Sequence, residues 1–205
     1  MSIKTTLNYS PNFNQKKRSK NKIKFIILHY TGMKSESAAI KKLTNPKSEV
    51  STHYLIKNSG EIINMVPDLY IAWHAGKSFW KEYINLNKNS IGIEITNPGH
   101  EINYKTFTNS QIKSLVKLCK FLIKKYKIKL KNVLGHSDIA PNRKKDPGEK
   151  FPWKILNKNK VSIWHKLKPK ILIKSRNIKI NIKDKEKFFI CRAYFFFSIF
   201  NKSLN

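Results

Sequence analysis

The sequence predicts an α/β fold: one domain over residues 22–157, followed by a basic tail. Three observations carry that expectation. "IKFIILHYTG" (23–32) and "NSIGIEITNPGH" (89–100) are apolar, β-branched runs closed by Thr-Gly and Pro-Gly, the signature of buried strands. A capped amphipathic helix follows them from Thr108. With 205 residues, 40% of them hydrophobic and 12% aromatic, the chain has enough apolar surface for a proper core.

Taken in order, residues 1–21 read as a polar, basic arm. The first strand lies within 23–32. "SESAAIKKLTNP" (35–46) opens on Ser35, an N-cap residue, and stops before Pro46, so it reads as a short helix. "VSTHYLIKNSGEIINMVP" (50–67) reads as two strands joined at Asn58-Ser59-Gly60. After the strand in 89–100, Thr108 and Gln111 form a capping-box pair. Ile112, Leu115, Val116, Cys119, Leu122, Ile123 and Tyr126 then supply one apolar helical face. "NVLGHS" (132–137) is a short strand running into a loop, and "FPWKIL" (151–156) opens a terminal helix with Pro152 in its first turn. From 158 to 205 the chain carries 13 Lys/Arg against two acids and no clear periodicity.

Net charge is +30, which points to an anionic partner such as nucleic acid, membrane or cell-wall polymer. The kind of cation argues against a specific nucleic-acid reader. Only four of the 42 basic residues are Arg (Arg18, Arg143, Arg176, Arg192), and they are scattered. Lys is a solvated point charge, whereas bidentate base and phosphate contacts favour Arg. Lys, Asn and Ile are spread throughout, as a biased source composition would produce. Two cysteines without a CxxC motif suggest neither a disulfide framework nor a thiolate metal site. The N-terminus lacks an apolar signal-like run, and "FFICRAYFFFSIF" (188–200) is too short and too charged to span a bilayer. A cytoplasmic location is the resulting expectation, with the periplasm or envelope as the alternative.

The histidines are where chemistry is to be sought. His29 ends a strand, where side chains of α/β folds point into a shared cleft, although such a residue is often a structural one. His136 follows a short strand, and Asp146 comes ten residues later in a stiff Asp-Pro-Gly turn. A His/His/Asp set leaves one coordination position open, the pattern of a catalytic zinc; no short motif enforces these spacings. Glu94 is a lone carboxylate in an apolar strand, flanked by Ile93 and Ile95. It is either a desolvated base beside a metal or an edge-strand residue facing water.

The ordered blocks "FIILHYTG", "VSTHYLI", "AWHAGKSFW", "NSIGIEITNPGH", "GHSDIAPNRKKDPG" and "FPW" together resemble the zinc-dependent N-acetylmuramoyl-L-alanine amidases of the type 2 family. That family has AmpD and AmiD branches and is related to peptidoglycan recognition proteins. The resemblance spans residues 22–157. It implies a mixed central β-sheet flanked by helices, with one Zn2+ in a surface groove and peptidoglycan fragments or murein as substrate. By the same resemblance His29, His136 and Asp146 are the metal ligands. Glu94 activates the attacking water, and Lys144 stabilises the oxyanion. The phage branch places a Tyr where this chain has Thr52, so this chain follows the branch that relies on the Glu. His74 and Trp73 fall where the family lines its groove, and Asn142 and Arg143 lie beside the site; substrate contact and packing both remain open for them. His53 reads as a supporting or structural residue, His100 and His165 as surface residues. Trp80 reads as stacking or core. A non-catalytic peptidoglycan-binding module is the alternative function, but such a chain would be expected to lack a ligand, and all three are present. The tail lies where longer relatives carry a wall-binding appendage, and its charge suits weak contact with anionic wall or membrane. Nothing in the sequence specifies an oligomeric state.

Overall fold

The structure, a computed structural model, describes residues 3–164. The remainder of the basic tail, with His165 and Cys191, lies outside the described residues.

Among the described residues ten strands and four α-helices follow in order: β1 (Thr6–Leu7), β2 (Phe13–Asn14), β3 (Phe25–Tyr30), α1 (Glu36–Thr44), β4 (Tyr54–Ile56), β5 (Ile62–Asn64), β6 (Ile71–Ala72), β7 (Phe79–Trp80), β8 (Tyr83–Ile84), β9 (Ser90–Ile95), α2 (Asn109–Tyr126), β10 (Val133–Gly135), α3 (His136–Ile139) and α4 (Trp153–Lys158). Six strands form the central sheet in the order β1-β5-β4-β9-β3-β10. Only β4 and β5 pair antiparallel, as the Asn58-Ser59-Gly60 hairpin requires; the other neighbours are parallel. The sheet is mixed and flanked by helices, as expected.

The two faces of the sheet do different work. Alternation along β3 and β9 sends Ile26, Leu28, Ile91, Ile93 and Ile95 to one side, where they pack against α2 and α4 in the main core. The opposite side is covered in two patches. Phe25, Ile27 and Leu134 pack with Leu86 and Ile139, while Leu55, Ile63 and Met65 pack with Leu43 of α1. Between the patches lies the row in which His29 of β3 and Glu94 of β9 are Cα partners. The sheet therefore presents these two polar side chains on the face away from α2.

α2 forms because its cap and its stripe agree. Thr108 Oγ1 accepts from Gln111 N (3.1 Å), and Gln111 Oε1 accepts from Thr108 N (2.8 Å). Gln111 Nε2 then donates to Thr96 O (2.7 Å), tying the helix start to the end of β9. Leu118 joins the expected Ile112, Leu115, Cys119, Leu122 and Tyr126 in the buried stripe, while Val116 and Ile123 pack against it half-buried.

Residues 1–21, expected as a polar arm, are corrected by the structure: from residue 3 the segment packs on the domain. β1 adds an edge strand parallel to β5, and β2 pairs with β6. Polar side chains hold the segment down. Ser10 Oγ donates to Leu43 O, and Asn12 Nδ2 donates to Asn45 O and Val50 O (2.9 Å each). Arg18, only 6% exposed, donates to Asp68 O and Asn87 O. Hydropathy misses such a segment because hydrogen bonds to loop carbonyls hold it, not apolar burial. Among the described residues no helix is long and apolar enough to cross a membrane.

Candidate active site

The site is assembled by strand ends and one loop. His29, 1% exposed, comes from the last turn of the pleat in β3. His136 is the first residue of α3, directly after β10, which runs parallel beside β3. Asp138 Oδ2 accepts from Gly135 N (2.7 Å) and turns the chain into that helix. The loop then brings Asp146 back: Ser137 N donates to Asp146 O (2.9 Å), and Pro147 lies against Gly135. A Cβ at position 135 would stand 2.7 Å from Pro147 Cδ, so the close return of the loop requires glycine there.

Three donor atoms converge. His29 Nδ1 lies 2.9 Å from His136 Nδ1 and 2.9 Å from Asp146 Oδ2, and the third edge, His136 Nδ1 to Asp146 Oδ2, is 3.1 Å. A triangle of that size leaves a point about 2 Å from all three atoms, the distance at which N/O ligands hold zinc. Among the described residues this is the one cluster that could hold a metal ion. Protonation agrees with the geometry. His136 Nε2 meets the carbonyl of Ala75 at 3.1 Å and Arg143 Nη2 at 3.4 Å; the Arg143 protons go to Ala75 O and Lys77 O, and a carbonyl only accepts, so the ring proton sits on Nε2 and the Nδ1 lone pair faces inward. Burial, and then His136, hold the His29 pKa down at about 4, so His29 is neutral at neutral pH. Burial pushes the Asp146 carboxyl up, and protons on His136 and His29 would pull it down; with their lone pairs facing inward, that positive charge has to come from a cation. Lone pairs from three sides call for a cation at the centre.

Glu94 stands one strand away, adjacent in register to His29. Burial first, and the Asp146 charge second, raise its pKa well above the ordinary carboxylate range. Its Oε2 is shielded from solvent without a hydrogen-bond partner among the described residues. An unpartnered buried carboxyl oxygen is costly unless the site uses it. Lys144 is near enough for its charge to pull down the proton affinity of both His29 and Glu94, opposing burial in the case of Glu94. Lys144 N donates to Ala140 O (3.0 Å), fixing the turn before Asp146.

These groups line a groove of about 370 Å³, with Trp73 and Lys145 on its walls. A larger cavity of about 1040 Å³ lies between β1 and α2, but its lining holds a single carboxylate, Glu61, and no histidine.

The remaining candidates sort by what they touch. Trp73 lines the groove while its Nε1 donates to Asn14 Oδ1 (2.8 Å). Arg143 also reaches the groove wall, yet its guanidinium is engaged by Ala75 O and Lys77 O. Asn142 is exposed and is not among the groove-lining residues. His74 lines the groove, as expected, and its Nδ1 contacts His29 Nε2 (3.0 Å). His53 is fully buried, with Nδ1 accepting from Gly92 N (3.0 Å). Trp80 packs on the cluster around Phe25. Thr52, at the position where the phage branch places Tyr, is buried and donates to Tyr54 O (3.3 Å).

His100, expected at the surface, is instead a clamp. It bonds Glu149 Oε2 (2.7 Å) and Tyr30 Oη (2.8 Å) and stacks on Tyr104, joining the turn after β9 to the loop beyond Asp146. Asn87, whose Oδ1 accepts from both His74 N (3.1 Å) and Ala75 N (2.7 Å), escaped sequence reasoning altogether. A lone Asn in an Asn/Lys-rich turn carries no signal.

Comparison with known proteins agrees with this geometry. Residues 19–149 match the model of the N-acetylmuramoyl-L-alanine amidase family. The chain is similar to AmiD of Escherichia coli K12, with 38% identity over 155 residues, covering 70% of this chain and 55% of that protein. It is similar to AmpD of the same organism, with 41% identity over 104 residues, covering 51% of this chain and 55% of that protein. The chain thus spans about 55% of the length of these curated relatives. Among solved structures it resembles AmpDh3 of Pseudomonas aeruginosa in complex with anhydromuramic pentapeptide (TM-score 0.69, 32% identity, 94% of this chain and 78% of that one). It also resembles E. coli AmiD in complex with anhydro-N-acetylmuramic acid-L-Ala-D-γ-Glu-L-Lys (TM-score 0.68, 30% identity, 88% of this chain and 80% of that one).

Proposed function

The chain belongs to the N-acetylmuramoyl-L-alanine amidase family, and from that premise we propose that it hydrolyses the amide joining the lactyl group of N-acetylmuramic acid to L-alanine, using one zinc ion held by His29, His136 and Asp146. The observation that carries this reading is the convergence of three inward-facing donors at 2.9–3.1 Å with an unpartnered carboxyl one strand away. The structures of AmpDh3 and AmiD with anhydromuramyl peptides support peptidoglycan fragments as the substrate class.

When bound, zinc supplies the Lewis acidity that polarises the amide carbonyl and acidifies the attacking water. The chain's own residues do the rest. His29 and His136 are neutral ligands, while Asp146 contributes a negative charge that offsets part of the metal's. Glu94, whose burial raises its proton affinity, takes the proton from the attacking water and delivers it to the leaving amine of L-alanine. Lys144 holds the negative charge that develops on the carbonyl oxygen; losing such a group costs on the order of 10²-fold in rate. Trp73 offers an apolar wall to the substrate.

Purified protein incubated with anhydro-muropeptide, and in parallel with intact sacculi, should release free peptide. A chelator should stop the release and added zinc should restore it. A zinc-loaded protein that turns over neither substrate overturns the proposal. Cleavage of the soluble fragment alone fits a role in recycling, and cleavage of sacculi as well fits wall turnover.

A further inference from the structure

Each histidine of the triad points its Nδ1 inward and leaves Nε2 to something behind it. The two partners behind them are consecutive residues: His29 Nε2 meets the side chain of His74, and His136 Nε2 meets the carbonyl of Ala75.

The direction of every hydrogen bond behind His29 follows from one backbone carbonyl. Ser90 Oγ donates to Leu86 O (2.6 Å), which uses the only proton the hydroxyl has. Ser90 must therefore accept from His74 Nε2 (3.1 Å), which places the proton of the neutral His74 ring on Nε2 and leaves Nδ1 as an acceptor. His74 Nδ1 in turn accepts from His29 Nε2 (3.0 Å), which leaves the His29 Nδ1 lone pair facing Asp146 and His136. The chain of donors thus has one consistent solution, and it delivers the tautomer a metal ligand needs.

The support is built into the backbone as well. Asn87 Oδ1 accepts from the N–H of both His74 and Ala75, holding the pair as a unit. Arg143 donates to Ala75 O from the other side. Arg18 donates to Asn87 O (2.9 Å), so the N-terminal segment buttresses the same turn. Gly92 provides the seat. A Cβ there would lie 2.4 Å from His74 Cγ, so the imidazole can lie against β9 only because that strand has no side chain at this point.

Resting on the amidase reading above, we propose that the dipeptide His74–Ala75 is a single positioning element for both histidine ligands, His74 through its ring and Ala75 through its carbonyl, locked by Asn87, Ser90 and Gly92. His74 is then a positioning residue whose work is done through His29.

The test reads zinc affinity, by competition with a chromophoric chelator, together with the thermal midpoint of the zinc-free protein. His74→Leu should weaken zinc binding by about 10- to 100-fold. His74→Asn, whose side-chain carbonyl can stand near the Nδ1 position, should recover most of that loss. Ser90→Ala, which removes only the far anchor and leaves the fold least disturbed, should weaken binding by a smaller factor. Imidazole ¹⁵N shifts of the zinc-loaded protein should show the His74 proton on Nε2. Zinc affinity of His74→Leu within about twofold of wild type overturns the proposal, as do equal losses in the Leu and Asn variants, which a packing role alone would give. If wild type cleaves muropeptide with zinc while these variants bind the metal normally, only the positioning role falls. If wild type takes up no zinc, the amidase reading and this inference fall together.

Discussion

Glu94 meets two opposing demands. It must survive burial in the middle of an apolar strand and, in the proposed reaction, remain free to exchange a proton. The sheet meets both by placing it in register with His29, between the two patches on the face away from α2. Because its Oε2 has no hydrogen-bond partner among the described residues, removing its charge should disturb the fold little. Glu94→Gln should therefore bind zinc within a few-fold of wild type and lose turnover by about 10²- to 10⁴-fold. His136→Ala, in contrast, should lose metal and turnover together. Steady-state kinetics beside a metal assay checks both, and a fully active Glu94→Gln would remove the proton-transfer role. At this scale the sequence was informative where a polar residue interrupts an apolar run, as at His29 and Glu94. It was silent where a residue works through hydrogen bonds to loop backbone. Asn87 and Arg18 sit in polar stretches, and only the folded chain shows what they hold.

The helices set the depth of the groove by what they leave uncovered. α2 and α4 take one face of the sheet, and α1 covers only the flank of the other near Leu55. The capping box of α2 also holds β9 in place through Gln111 and Thr96. Thr108→Ala should cost about 1 kcal/mol of stability. The change should appear as a lower denaturant midpoint with unchanged slope, and an unaltered midpoint would show that the cap does not support the helix in solution. Elements with several turns or a long apolar run were legible: β3, β9, α1 and α2 all lie within the stretches whose patterning predicts them. The two-residue strands β1, β2, β6, β7 and β8 were not, because two residues carry no periodicity. The short α3 escaped for the same reason, although the His136 that opens it was recognised.

For the molecule as a whole, the charge of +30 says less than four residues of one groove do. Lysines are spread along the sequence, whereas His29, Glu94, His136 and Asp146 line one groove. Family membership and the converging donors support the proposed cleavage of one bond. The most direct measurement is to digest anhydro-muropeptide with the zinc-loaded protein in H₂¹⁸O and weigh the products. The account predicts anhydro-N-acetylmuramic acid carrying one ¹⁸O in its lactyl carboxylate, and an unlabelled peptide with a free L-alanine amine. An intact muropeptide, or label on any other carboxylate, would contradict it.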